Sequence, residues 1–531
     1  MDPSRPDRVC RSAGVRTQRR RRRRAGGTAR RRVADRRARA GTGPRRPRVA
    51  RPTPVTRTWL QFDAPSRLIL AAIAFLFLVG LASIYVTDTA AIGGHDGPRN
   101  ATRQLVYLCV GISAAMVVLR IGYRDLGRWS YAILALALLA LIPLMMAKLT
   151  HSTFGGLIPE RRHAYRWINL GLIDVQPSEF MKVAFIVALA WYLRFRRNYR
   201  RFGGLIRPLL AAAVPLALIL RQPDLGTCTL LLPVLLIMLF MAGAQIRHLA
   251  VLVAIGLVTL PLTWTQMRNY QRSRIVAVLL QSDALRRAIV ESPQRYSFLT
   301  DRRSAVEWKA DSGYQLVASK TAIGSGGLAG FGWGRGPYVE HAFLPDRHND
   351  LIFAVIAHQW GLVGAGAVLI AYACIAVGGA AIAARTTEPF GRMLAIGITS
   401  LLMVQTIINV GMTVGLMPIT GMNLPFVSYG GSNLLSNFLA IGLLVSVAQH
   451  RPFLLSPKPF EFRQRQRRRS SVLVSAPRSR GHSTARAASI TALTNGSMSG
   501  GSKRASRISS SINSLIRSLY RSLRWRSTNW G

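Results

Sequence analysis

The chain has 531 residues, with 71 Lys and Arg against 21 Asp and Glu, and a formal net charge of +50. Half of its residues are hydrophobic and its mean hydropathy is +0.22. A disordered basic protein lacks such an apolar half, and a soluble enzyme rarely combines positive hydropathy with so few charges, so basic and apolar stretches must be segregated along the chain. Cys10, Cys109, Cys228 and Cys374 are too few and too scattered for a disulfide framework or a zinc site.

Residues 1–65 read as an Arg-rich, disordered cytoplasmic tail, with a run at Arg19 to Arg24 and no signal-peptide apolar region after Met1. Residues 66–449 hold the apolar runs. Ten spans are predicted, near 67–87, 103–120, 128–148, 177–195, 206–221, 225–243, 247–265, 350–384, 390–416 and 430–449. The fold class is therefore an all-α polytopic membrane protein of about ten transmembrane helices. A long external loop, 266–349, lies between helices 7 and 8. The eighth span is too long for one simple crossing, so its first turns are expected at the interface or tilted, with breaks at Gly361 and Gly364.

Arginines crowd the loops after spans two, four and eight and precede span seven, which puts these loops and both termini in the cytoplasm. Arg161, Arg162 and Arg166 fall in a loop that must face outside and count against this scheme. Residues 450–531 form a Ser/Arg-rich cytoplasmic tail. Within it, 507–526 reads as a basic amphipathic helix, suited to an anionic membrane surface or, alternatively, a partner helix.

Polar residues at membrane depth are the candidates for function, because burying them is expensive. In Gln176-Pro177-Ser178-Glu179-Phe180-Met181-Lys182, Glu179 and Lys182 share one helical face, either as a structural ion pair or as part of a substrate site. Asp224, in a Pro/Gly turn, either caps the next span or meets a polar headgroup. Lys320 precedes Gly324, Gly326 and Gly327; a cation followed by exposed backbone N–H groups suits phosphate oxygens, and a plain flexible turn fits equally.

In Asp346-Arg347-His348-Asn349-Asp350, titratable groups crowd the junction of the long loop and span eight. Asp350 is there either a partly desolvated general base or a helix cap. The segment from Asn409 to Asn433, which includes Ser428, is dense in Pro and Gly and reads as a wall of the site.

Six ordered stretches (RWINLG, QPSEFMK, QPDLGT, GYQ…SKTAIGSGGL, LPDRHNDLIFAVIA and NVGMTVGLMPITGMNLPFVSYGGS) together resemble the SEDS family of bacterial membrane proteins, which includes RodA and FtsW. The resemblance spans 66–449. It implies a peptidoglycan glycosyltransferase that polymerises lipid II at the outer face of the cytoplasmic membrane, with inversion at the anomeric carbon. The family's catalytic Asp falls on Asp350, as base on the acceptor hydroxyl. Lys320 and Arg347, with the Gly324–Gly327 backbone, are then the groups expected to stabilise the departing diphosphate.

The resemblance implies supporting roles for Glu179, Lys182, Asp224 and Ser428. A divalent cation, Mg²⁺ or Mn²⁺, could share in the chemistry, though no ligand cluster requires one. The implied partners are lipid II, the undecaprenyl-diphosphate-linked glycan and a class B penicillin-binding transpeptidase, with no nucleic acid. SKTAIGSGG and GMTVGLMPITG are closer to RodA than to FtsW. His358 stands where family members commonly carry an acid, and 282–311 looks like an insertion. The rival class is a lipid II flippase or other transporter, to which an intramembrane Glu179 and Lys182 beside broken segments also conform.

Overall fold

The computed structural model describes residues 62–89, 99–150, 153–160, 165–169, 171, 174–195, 202–222, 224–267, 269–310, 313–341, 343–344 and 347–449. Both basic tails, and with them the helix expected at 507–526, lie outside the described residues apart from 62–65. The chain divides into two units, Met1–Leu454 and Leu455–Gly531, and every described residue belongs to the first.

Helix α1 (Ala64–Thr89) leads to α2 (Arg99–Ile121), a short α3 (Tyr123–Arg128) and α4 (Ser130–Thr150). A small antiparallel hairpin, β1 (Ile168–Asn169) and β2 (Asp174–Val175), follows, with Ile168 opposite Val175. Then come α5 (Pro177–Leu193), α6 (Gly203–Arg221), α7 (Leu225–Met241) and α8 (Ile246–Val258). The long segment before the eighth expected span holds α9 (Leu260–Gln266), α10 (Asn269–Leu279), α11 (Asp283–Glu291), α12 (Arg302–Val306), α13 (Tyr314–Ser325) and α14 (Pro337–Glu340). The chain returns through α15 (Ile352–Arg385), α16 (Pro389–Thr413) and α17 (Gly431–Gln449).

Among the described residues seven helices, α1, α2, α4, α6, α15, α16 and α17, are long and apolar enough to cross a bilayer. The expected spans at 177–195 and 225–243 fall on the shorter α5 and α7, of 17 residues each. The span expected at 247–265 is divided at Thr259 into α8 and α9, where Pro261 opens the second helix. Helices suit this environment because hydrocarbon offers no partner to an unpaired backbone group. Lipid tails are as apolar as leucine, so helices associate through close packing rather than exclusion from water. A Cβ on Gly80 would lie 2.4 Å from the Val427 carbonyl, and one on Gly442 would lie 3.0 Å from Ala115 Cα. Small residues thus let α1 meet the segment before α17, and α17 meet α2. Helices α16 and α17 are the most buried of the seven, whereas α2 and α4 are peripheral and turn side chains such as Leu136 outward.

Helix α15 has one of the two breaks expected in the eighth span, at Gly361, whose φ of 60° and ψ of −156° are non-helical. The turn 327–332 fits the break: the Leu362 and Val363 N–H groups donate to the Gly327 and Leu328 carbonyls, while Phe331 and Gly332 donate to those of His358 and Gln359. A Cβ on Gly361 would stand 2.4 Å from the Leu328 carbonyl oxygen, so only glycine serves there. Before the break, Ile352 to Gln359 are buried on every side.

The stretch 282–311 is more than a lengthened loop. Ile289, Ala305 and Trp308 join Val276, Ala277 and Leu280 of the α10 region in a small core completed by Leu316, Met412 and Ile419. The Trp308 indole N–H donates to the Ala277 carbonyl at 2.9 Å. The long segment is thereby packed onto the C-terminal end of α16.

Candidate active site

The turn Arg347–Asp350 delivers Asp350 to the start of α15, half-buried. Leu351, not Asp350, occupies the N-cap position of that helix, so the capping alternative is not what the chain adopts. The turn is clamped from the α16–α17 connection. Ser428 Oγ donates to the Asn349 carbonyl at 2.7 Å and accepts the Leu424 N–H at 2.7 Å. The Tyr429 N–H donates to the His348 carbonyl at 2.9 Å, and the His348 and Tyr429 rings meet edge to face.

Asn409, wholly buried on α16, donates Nδ2 to the carbonyls of Asp350 (3.1 Å) and Met422 (2.6 Å). Gln104 of α2 completes the frame, donating to the Ser428 carbonyl and accepting the Gly430 N–H. Ser428 therefore holds the backbone that presents Asp350. Each of these bonds contributes about 1 kcal/mol net, and a buried orphan left by losing one costs more.

The segment Thr420–Met422 runs between two carboxylates. A Cβ on Gly421 would lie 3.4 Å from Asp350 Oδ2, and one on Gly226 would lie 3.3 Å from the Thr420 carbonyl oxygen and 3.6 Å from Asp224 Oδ1. Asp224 caps α7, accepting the Thr227 N–H at 3.2 Å and the Thr227 hydroxyl at 2.8 Å, and it also accepts the Ser178 hydroxyl at 3.1 Å. Its role in the structure is to tie α5 to α7 beside the wall of the site.

One turn deeper, Lys182 Nζ stands 2.7 Å from Glu179 Oε2, and both residues are buried. Asn433 Nδ2 donates to the same oxygen at 2.9 Å, joining α5 to α17. The pair is thus a packing element of the bundle.

The two cations expected at the diphosphate are placed differently from one another. Lys320 is exposed on α13, where its Nζ donates to Gln281 Oε1 at 2.9 Å, while Gln281 Nε2 donates to the Gly415 carbonyl at 2.8 Å. Arg347 is half-buried and donates to the Val339 carbonyl. Burial lowers its pKa from the ordinary arginine value, with the Asp88 carboxylate pulling the other way. An arginine so shifted remains a cation at neutral pH. Asp88 itself accepts the Asn100 and Ala101 N–H groups at the start of α2.

The glycines after Lys320 have internal work. The Gly326 and Gly327 N–H groups donate to the Ile323 and Gly324 carbonyls, and a Cβ on Gly326 would strike the Ala357 carbonyl at 2.1 Å. They pack the turn against α15 instead of offering an open row of N–H groups. His358 is buried against this turn, with Nδ1 3.0 Å from Ser325 Oγ and its ring 4.6 Å from that of Phe331.

The basic residues expected outside have a local cause as well. Lys148 Nζ donates to the Arg221 carbonyl and Arg166 Nε donates to that of Gln222, so both cations cap the C-terminal end of α6, where the helix dipole favours positive charge. Arg161 and Arg162 lie outside the described residues.

Two residues that carried no sequence signal also stand at the site. Gln281 holds Lys320. Arg274 of α10 has its Nη1 3.8 Å from the Cβ that Gly421 lacks, on the approach shared with Asp350 Oδ2. Neither belongs to a recognisable motif, and only an arginine near the membrane end of the long loop hinted at the second.

Among the described residues no three His, Cys, Asp or Glu side chains group as a metal site.

Comparison with known proteins agrees with this architecture. Residues 66–452 match the family model for the FtsW/RodA/SpoVE cell cycle proteins. Stage V sporulation protein E of Bacillus subtilis (strain 168) is 30% identical over 393 residues, covering 73% of this chain and 98% of that protein. Peptidoglycan glycosyltransferase MrdB of Escherichia coli (strain K12) is 32% identical over 373 residues, covering 66% of this chain and 94% of the relative. A solved chain from "Structural coordination of polymerization and crosslinking by a peptidoglycan synthase complex" matches with a TM-score of 0.55 and 26% identity, over 74% of this chain and 98% of that one. With the family model matched from the first span to the last, the chain belongs to the FtsW/RodA/SpoVE cell cycle protein family, the SEDS proteins.

Proposed function

We propose that this chain is an inverting peptidoglycan glycosyltransferase that polymerises lipid II at the outer face of the cytoplasmic membrane, with both termini in the cytoplasm. The observation that carries the proposal is the Asp350 carboxylate, held at the head of a helix whose first turns, Ile352 to Gln359, are buried, by backbone clamps from Ser428, Tyr429 and Asn409. Rigid presentation is what a general base needs, because proton transfer depends on hydrogen-bond geometry before it depends on pKa.

In the proposed step, Asp350 takes the proton of the 4-hydroxyl of the acceptor's GlcNAc. The acceptor oxygen attacks the anomeric carbon of the growing chain as the bond to the undecaprenyl diphosphate breaks. The diphosphate leaves with the bonding pair, and cations are needed where its charge develops. Arg347, close to the turn and held a cation, is the better placed of the two expected groups; Lys320 serves if its bond to Gln281 yields to substrate.

A class B penicillin-binding transpeptidase is the proposed partner, in keeping with the likeness to a chain solved for a peptidoglycan synthase complex. The elongation role of RodA is preferred to the division role of FtsW on SKTAIGSGG and GMTVGLMPITG alone.

The test is polymerisation of labelled lipid II by purified protein in detergent, with and without its transpeptidase and Mg²⁺. Asp350→Ala is expected to lower the rate by roughly 10²- to 10⁴-fold while the protein stays folded, the range of a general base. Full glycan synthesis by that variant overturns the reading. Movement of lipid II across a vesicle bilayer that persists in Asp350→Ala, with no polymerisation by the unmodified chain, favours the flippase alternative, to which the buried Glu179–Lys182 pair also conforms.

A further inference from the structure

Helix α10 matches none of the motifs of the sequence, yet it brings a cation to the carboxylate. Gly421 has a φ of +77°, and the Cβ it lacks would sit 3.4 Å from Asp350 Oδ2 and 3.8 Å from Arg274 Nη1. Carboxylate and guanidinium therefore converge on the space left by one missing side chain.

The helix that carries Arg274 is anchored on three sides. Upstream, Arg272 donates Nε to the Trp264 carbonyl and Nη2 to that of Thr265, both at 2.9 Å. Downstream, Gln281 joins Lys320 and the Gly415 carbonyl. Beneath, Val276, Ala277 and Leu280 are buried against Trp308 and Met412. Arg274 is thus presented by a fixed element, with the same rigidity that the α16–α17 connection gives Asp350.

We propose that Arg274 is a positioning residue for Asp350, orienting its carboxylate across Gly421 toward the acceptor hydroxyl. The role rests on the reading of Asp350 as the base. A planar guanidinium suits it, since a fork of N–H donors fixes the direction of a carboxylate where an ammonium fixes only its distance. The adjacent positive charge also favours the ionised, proton-accepting form.

Other charged groups bear on Asp350. Arg347 and His348 come from its own turn, and Lys320 comes from α13 beside Gly415. Asp224 of the α7 cap lies beyond Thr420, and Tyr429 packs on His348. Asn409, the contact from α16, is neutral. Asp346 lies outside the described residues.

The experiment measures kcat and KM for lipid II across the acid and neutral range with the full chain, as unmodified protein, Arg274→Gln, Arg274→Lys and Asp350→Ala. Arg274→Gln is expected to lower kcat roughly 10- to 100-fold with KM little changed, the loss of one charge-assisted hydrogen bond. It also moves the acid limb of kcat to higher pH, because the carboxylate loses a stabilising cation. Arg274→Lys returns the limb to its place and restores only part of kcat.

An Arg274→Gln protein with unaltered kcat, KM and acid limb overturns the positioning role, as does one whose limb stays fixed while KM alone rises. Should the glutamine variant not fold, Arg274→Lys decides: unaltered kcat overturns the role, and reduced kcat at unchanged KM supports it. Activity surviving in Asp350→Ala instead removes the base itself, and so separates failure of the proposed function from failure of this inference.

Discussion

Burial gives the same residue types opposite meanings in this chain. Glu179 and Lys182 lie three apart on α5, and in water such a pair contributes a few tenths of a kcal/mol. Here both are buried, and Asn433 shares the carboxylate. Removing one partner strands a charge in a medium that cannot solvate it. Lys182→Met is therefore expected to cost about 3–5 kcal/mol, read as a lower unfolding midpoint in detergent. The double variant Glu179→Gln with Lys182→Met is expected to recover most of it, and a double variant as unstable as the single one refutes a structural pair.

At the junction of α3 and α16, Tyr123 is fully buried with its hydroxyl donating to Glu388, and its pKa is pushed up to about 12, first by burial and then by that bond. It therefore stays neutral through the physiological range and holds α3 to the start of α16, while Arg124 Nε pairs with the same carboxylate at 2.8 Å.

Elements here are shaped by what their backbones must approach. The turn after α13 and the break in α15 form one device: the turn enters the notch at Gly361 and donates its N–H groups to the exposed carbonyls. Glycine positions in the turn then differ in kind. Gly326→Ala would place a methyl 2.1 Å from the Ala357 carbonyl and is expected to cost about 1–3 kcal/mol of stability by overpacking. Gly324 lies in the last turn of α13 with nothing within 4 Å of a Cβ, so Gly324→Ala is expected to leave the unfolding midpoint unchanged or slightly raised. If Gly324→Ala abolishes polymerisation at unchanged stability, the backbone there contacts substrate after all, and the packing account of the turn is incomplete.

For the whole molecule, the placement of charge predicts the proposed orientation: by the positive-inside rule the basic loops after α2 and α15 are expected on one side and the segment from α9 to α14 on the other. The arginines that conflict with this rule are partly accounted for by the end of α6, since Lys148 and Arg166 bond to its last carbonyls. In a chain stripped of its own four cysteines, Phe298→Cys, at an exposed position of the long loop, is expected to react with an impermeant maleimide in intact cells. Arg128→Cys, exposed at the last residue of α3, is expected to react only after permeabilisation. The opposite labelling pattern would place Asp350 in the cytoplasm and end the proposal.

The sequence by itself determined the helical membrane class and the family, and it marked the stretch that holds the proposed base, because hydropathy and short motifs are local properties. Asp350, Ser428 and Asn409 each lay in stretches marked by polar or Pro/Gly-rich composition at membrane depth. The break at Gly361, the work of the glycine turn and the capping by Lys148 and Arg166 depend on which backbone passes which, and only the tertiary structure decided them. The same holds for Arg274. It lies far from both Asp350 and Gly421 in sequence and carries no motif, and only the packing of α10 onto the C-terminal end of α16 brings the three together.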